Sequence, residues 1–524
     1  MTAASSAGGA WSPFRQTAFT VLWVATVVSN IGTWMNDVGA GWLMTGLAPS
    51  PQIVAMVQAA TTLPVFLFAI LAGAVADIVD RRRLLLVVNI GLAVVAFAVG
   101  AVVQADAMTP VLLLVFTFLL GTGAAFIAPA WQAIVPKLVP RSDLTAAVAL
   151  NSMGINISRA IGPAVAGMLI AGFGLFWPFA LNALSTLIVI AALIWWKPAK
   201  EAPDTLPAEH VIGGMMAGLR YAMFTKPIRL VLVRAAAFFL FASAFWAMLP
   251  LVARVVLGGG AGLYGGLLAS VGVGAVAGAL LLPGLRAKLG PDMTVMLGSI
   301  GTALVLVTLG LVPGQIPAML AGLVAGASWI AVLSTLNVAA QAALPDWVRA
   351  RGLAIYLTVF SGAMSLGSLG WGAVATHASI TTALLIAAAG VLMAIPLTLW
   401  ARLSIPAGDH ASAHHWPAPA SAANDAPTTI WIAYDVAEEH HDRFTHLMQQ
   451  QRASRRAHGA YGWVLRHDIT VPSRLYESWH EASWLSHLRH HDRISVTEKA
   501  LQDEIRALLT RPAEILHTTG RKKP

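Results

Sequence analysis

Cysteine is absent from the 524 residues, and only 11% of them are charged. Without cysteine there is no disulfide, no thiolate nucleophile and no Cys-ligated metal, and the redox compartment is left open. An ordinary soluble chain carries about 25% charged residues, so a soluble globular reading fails on that shortage alone. No Gly-x-x-x-x-Gly-Lys-Ser/Thr loop occurs, which excludes a P-loop nucleotide as the energy source. No basic residue precedes Arg15, and the first apolar stretch carries Asn30, Asn36 and Asp37. That stretch reads as a retained first helix and not as a cleaved signal peptide. What the chain has in abundance is apolar surface: 57% of its residues.

A membrane helix needs about 20 apolar residues, and lipid offers the backbone no other hydrogen-bonded form apart from a closed barrel. Such runs fall at 17–43, 51–76, 84–104, 110–135, 144–171, 176–196, 229–256, 263–285, 292–311, 316–341, 352–376 and 380–401, which makes twelve. Charge alternates between the loops that join them. One side holds Arg81–Arg83, Lys137, Lys197, Arg286, Lys288 and Arg349, whereas the other has only Arg254, at the end of the seventh run. By the positive-inside rule the first side is cytoplasmic, and both termini lie with it at a bacterial inner membrane. The net charge of +9 agrees: 19 Lys and Arg against 10 Asp and Glu stand up to Arg402, with 14 of each beyond. The balanced tail argues against nucleic acid as a partner.

The longest loop divides the membrane part into two six-helix halves, 1–196 and 229–402, joined by a linker over 197–228. At an offset of 205 residues, Gly121 falls on Gly326, Pro140 on Pro345, Gly162 on Gly367 and Gly167 on Gly372, which favours an internal repeat. Parallel six-helix halves are a transporter architecture with the substrate site between them near the midplane. A second linker, 403–427, is rich in Ala, Pro, Ser and His. Beyond it, 428–518 reads as strand, helix, two strands, a helix interrupted near Arg493–Ser495, and a strand. That βαββαβ order predicts a small cytoplasmic α+β unit of ferredoxin-like type. Trp431, Trp463 and Trp479 all fall on its strands and are expected to build one sheet face. Its uncovered strand edges make self-association a partner prediction.

Several motifs stand out. The loop after the second run reads Gly73-Ala-Val-Ala-Asp77-Ile-Val-Asp80-Arg81-Arg82-Arg83. It puts an acid one turn beyond a small residue, followed by an arginine cluster suited to lipid phosphates. The fifth run contains Ser158-Arg-Ala-Ile-Gly162-Pro163-Ala-Val-Ala166-Gly167, a packing motif in which small residues permit close helix approach. The fourth carries Gly121-Thr-Gly123. These stretches resemble motifs A, C and B of the major facilitator superfamily. The similarity is greatest to bacterial exporters of the enterobactin exporter and transmembrane secretion effector group. Ile78 and Asp80 depart from the usual motif A, and Thr117 stands where motif B has arginine. The resemblance implies a twelve-helix facilitator fold and export of a small molecule by alternating access. It also implies that Gly73, Asp77, Arg81 and Arg82 latch the two halves, and that motif C marks an antiporter. The tail resembles antibiotic-biosynthesis monooxygenases in element order.

A carboxylate inside a span costs roughly 2.5–3.5 kcal/mol on insertion scales and so usually faces a cavity or a partner. Asp37 is therefore the leading candidate for coupling or substrate contact, with Asn30, Trp34, Asn36 and Arg159 beside it. The alternative for Asp37 is hydration at the external interface. Thirteen of the fifteen histidines follow Arg402. His487 and His491 have a metal-pair spacing, but without an evident third ligand they read as a solvated helix face. No metal, cofactor or catalytic set is expected. The predicted function is a secondary exporter of a small amphiphilic, siderophore-like or drug-like compound. The rival is a membrane-tethered enzyme or sensor acting through the tail.

Overall fold

The computed structural model describes residues 11–48, 50–197, 211–396, 402–403, 427–492 and 496–519. Six helices come first: α1 (Thr17–Leu47), α2 (Pro51–Ile78), α3 (Arg81–Gln104), α4 (Pro110–Leu138), α5 (Leu144–Phe173) and α6 (Phe176–Trp195). After α7 (Val211–Phe224) come α8 (Lys226–Leu251), α9 (Ala261–Leu311), α10 (Gln315–Ala342), α11 (Asp346–His377) and α12 (Ile380–Met393). Ten helices of the described residues are long and apolar enough to cross a membrane, and α12 is a shorter apolar helix. One of the ten, α9, has 51 residues and is broken at Gly290, where φ is +78°. At 1.5 Å per residue, 51 residues would reach about 77 Å, far beyond a hydrocarbon core of about 30 Å. The break divides α9 into two arms at the position expected from the sequence.

The chain forms two compact units. One comprises 1–207, 232–338 and 356–403, and the other 208–231, 339–355 and 404–524. Within the first, the repeated glycines occupy equivalent places. Gly121 of α4 lies against the backbone of α2 at Ala60 and Thr61, and Gly326 of α10 against α9 at Val271. Gly162 lies on α1 at Ile31 and Trp34, and Gly367 on α8 at Leu240. A Cβ at Gly167 would come within 2.8 Å of the Gly265 Cα on α9, and one at Gly372 within 2.7 Å of Ala55 on α2. Each pair is one helix crossing built twice, so the internal repeat is physical.

Charges in this unit are largely used by the scaffold. Arg234 on α8 is ion-paired with Asp292, just past the Gly290 break. Arg82 donates from Nε to the Leu193 carbonyl at 2.7 Å and from Nη2 to Ile194 at 2.9 Å. It thereby caps the C-terminus of α6, where the helix dipole favours a cation. Arg81 donates to the Ala76 carbonyl at 3.4 Å. These two arginines serve helix ends, and Arg83 of the cluster is exposed. Asp80, where the motif usually has glycine, accepts the Arg83 backbone N–H at 2.8 Å as the N-cap of α3.

The second unit carries β1 (Thr428–Asp435), α13 (His441–Ala457), β2 (Tyr461–His467), β3 (Arg474–Glu481), α14 (Trp484–Asp492), α15 (Val496–Ala507) and β4 (Glu514–Thr519). The interruption expected near Arg493–Ser495 lies outside the described residues. The four strands form an antiparallel sheet in the order β2-β3-β1-β4. Ile430, Ile432, Tyr434, Leu475 and Trp479 face Phe444, Leu447 and Met448 of α13 across the core. Within the same unit, Arg456 of α13 stacks on Phe224 of α7, 5.6 Å from the ring centre.

The three strand tryptophans do not share a face. Trp479 is paired with Ile430 and buried, whereas Trp431 is paired with Ser478 and 36% exposed. Strand side chains alternate with period two. An odd offset in register therefore puts these two indoles on opposite sides.

Candidate functional site

The first unit encloses a cavity of about 810 Å³. On α1, Trp34, Asp37, Val38 and Gly41 line it, at the three- and four-residue steps that share one helix face. Of the five candidate residues, Trp34, Asp37 and Arg159 are on the wall. Asn36 is 4% exposed and, like Asn30, is not part of the wall. A residue adjacent in sequence sits about 100° round the helix, so Asn36 stands off the wall, although its side chain still reaches Asp37. Asp37 faces the cavity and not the external interface.

Arg159 places its guanidinium 5.4 Å from the Trp34 ring centre, within cation–π range. Its Nε is buried without a hydrogen-bond partner among the described residues. Arg286, on the first arm of α9, also lines the cavity and donates from Nη2 to Ser334 Oγ and Thr335 Oγ1, each at 3.3 Å. Two guanidinium groups and one carboxylate thus line the same cavity. The rest of the wall is aromatic and amide-bearing. Trp329 packs edge-on to Trp246, Phe239 and, more distantly, Phe360. Tyr264, Tyr356, Gln58 and Asn156 also line the wall.

Arg286 escaped the sequence reading because its position at the end of an apolar run matches an ordinary loop cation. Tyr264 and Tyr356 carried no signal beyond lying in apolar runs.

At the end of the bundle opposite the arginine-rich loops, side-chain contacts draw the helices around the cavity together. There Trp42 stacks on Tyr264 at 6.1 Å, and Arg254 lies 5.2 Å over Trp42 while donating to Thr45 Oγ1 at 3.0 Å. The Gln52 backbone N–H donates to Thr376 Oγ1 at 3.0 Å, and Thr62 and Ser365 share a hydrogen bond of 2.7 Å. Gly167 and Gly265 bring α5 and α9 together beside them. Ser158 donates to the Val27 and Gly154 carbonyls, tying α5 to α1. The motif expected for helix packing, Ser158, Gly162, Pro163 and Gly167, therefore sits on both contact lines of α5. A Cβ at Gly73 would meet nothing within 4 Å among the described residues. The Asp77 side chain lies outside the described residues.

This architecture is that of a two-halved helical membrane transporter. A POT-family transporter solved with 5-aminolevulinic acid superposes with a TM-score of 0.60 at 12% identity, covering 74% of this chain and 96% of that one. A bacterial homologue of the human lysosomal transporter Spinster gives 0.57 at 16% identity, covering 75% and 99%. At such identities these likenesses speak for the fold alone. The chain belongs to the transmembrane secretion effector family, whose model matches residues 8–519. It is similar to the staphyloferrin A transporter of Staphylococcus aureus, 25% identical over 261 residues, which are 48% of this chain and 64% of that protein, just under two thirds. The enterobactin exporter of Shigella boydii is 26% identical over 323 residues, covering 61% of this chain and 75% of that protein. The family and both relatives are transporters and not enzymes.

Proposed function

We propose that the chain exports a small amphiphilic anion, siderophore-like or drug-like, by ion-coupled alternating access. The observation that carries this reading is the cavity wall: two guanidinium groups and one carboxylate among edge-packed tryptophans. An excess of cations over carboxylates in a partly apolar wall favours an anion. The indole faces suit a conjugated or aromatic body. The staphyloferrin A transporter and the enterobactin exporter, to which the chain is similar, support a siderophore-like cargo.

On this reading the membrane part crosses twelve times. Dividing α9 at Gly290 turns ten long helices into eleven, and α12 supplies the twelfth. Both termini are then cytoplasmic, and the cavity, closed at the opposite end, opens inward. Gly73, Asp77, Arg81 and Arg82 form the inner latch, and Asp37 is the coupling carboxylate. The tail is ferredoxin-like, as its strand order supports, and it pairs with a second copy across the sheet face bearing Trp431 and Leu516, 36% and 59% exposed.

Purified chain in proteoliposomes tests the function. Export of an aromatic carboxylate or catecholate against a control cation, driven by an imposed gradient, is the expected result. Absence of flux, or equal transport of both, would remove the reading.

A further inference from the structure

The tail brings together three imidazoles that the sequence keeps apart. His487 and His491 are one turn apart on α14, and His517 is on β4, thirty residues away. The Nε2 of His487 lies 3.1 Å from that of His517 and 3.1 Å from that of His491. The rings are splayed and not stacked, with interplanar angles of 60° for His487–His517 and 87° for His487–His491. Two nitrogens bound tetrahedrally to one zinc at about 2.0–2.1 Å stand about 3.3 Å apart, close to both of these separations.

Behind them is a carboxylate. Glu481 Oε1 accepts from His487 Nδ1 at 3.1 Å, and also contacts His490 Nδ1 at 3.0 Å and Trp479 Nε1 at 3.0 Å. A proton on Nδ1 of His487 leaves its Nε2 lone pair facing the two other nitrogens. One in-plane lone pair accepts one N–H well, not two. A carboxylate on the far nitrogen is also the usual support of a metal-bound histidine. His487 is 2% exposed, which corrects the solvated-face expectation for this helix.

We infer that His487, His491 and His517 form a three-histidine site for a divalent transition metal such as zinc, with Glu481 as its buried support and one coordination position open. The site joins the last strand to α14, so occupancy stabilises the tail by linkage.

Full-length chain, purified in detergent without a polyhistidine tag and stripped with EDTA, is titrated with cobalt(II) and then zinc(II). We expect one equivalent of cobalt with the visible absorption of a four-coordinate ion, displaced by zinc, and a tail that resists proteolysis better when loaded. His517→Ala and His491→Ala should each weaken binding at least 100-fold, and Glu481→Gln about 10–100-fold. The linker variant His414→Ala/His415→Ala should bind as the parent does. Circular dichroism confirms folding, and His517→Gln serves if His517→Ala is unstable. No four-coordinate cobalt spectrum in the parent, or binding that survives both single substitutions, overturns the site. Either result leaves the transport reading untouched, because no cavity residue is involved.

Discussion

At Arg159 a guanidinium stands over Trp34 with its Nε buried and unpaired among the described residues. If it holds the anionic group of the cargo, Arg159→Gln removes a charge-assisted contact of about 1.5–3 kcal/mol. The half-saturating concentration should rise roughly 10–100-fold by the same arithmetic. Arg159→Lys should recover only part of this, since an ammonium lacks the planar fork that stacks on the indole. Concentration-dependent flux measures both. Asp37 makes a different demand, because it shares the wall with the arginines but carries the opposite sign. Asp37→Asn should abolish gradient-driven flux while sparing substrate binding and insertion. Gradient-driven flux that persists unchanged would return Asp37 to a merely hydrated position.

Among the elements, the crossing of α5 and α9 is the most sensitive, since Gly167 and Gly265 meet backbone to backbone. A side chain at Gly167 forces the helices apart, and overpacking of this kind costs about 1–3 kcal/mol. Gly167→Val should therefore disfavour the state closed at this end. The cysteine-free chain offers a clean assay. In an Asn156→Cys background, an impermeant thiol reagent applied from outside should label the cavity faster once Gly167→Val is added. An unchanged rate would show that the crossing does not govern closure. In the tail sheet, Arg474 grips Asp435 with Nε and Nη2, each at 3.0 Å. Those hydrogen bonds hold the Asp435 carboxyl below its usual range. A depressed folded-state value stabilises above the unfolded value of about 3.9 and is lost as pH falls through the folded one. Arg474→Gln should shift acid unfolding of the sheet to higher pH while changing neutral stability little, because solvent screens the pair. Pulsed pepsin digestion between pH 2 and 5 reads the difference, and coincident profiles would contradict it.

For the whole molecule, the two units divide the labour. The membrane unit holds its cavity and closing contacts by itself. Deleting 424–524 should leave flux measurable, and complete loss from a correctly inserted truncation would make the tail part of the transport machinery. The exposed pair Trp431 and Leu516, directly opposite one another on β1 and β4, gives the tail an apolar face. Trp431→Lys should reduce dimer content in analytical ultracentrifugation of the full chain, and a parent that sediments as a monomer at every concentration would end the pairing proposal.

Span positions, the strand and helix order of the tail, and the repeat at 205 residues follow from local hydrophobicity and small-residue spacing, which neighbouring residues express without a partner. The break at Gly290 belongs with them, since a glycine between two apolar runs is visible in the chain itself. Asp37, Trp34 and Arg159 were legible as candidates because a polar group in an apolar run is conspicuous wherever it points. Which of them share a wall was not legible. That depends on helix rotation, and it left Asn36 off the wall beside Asp37. Arg286, which joined them, looked like any loop cation until α9 was packed. The parity that separated Trp431 from Trp479 came from pairing between strands over forty residues apart. His517 likewise became a neighbour of His487 only when β4 was added beside β1. Contacts between distant segments have no period in the sequence. They are decided by the packing that brings those segments together.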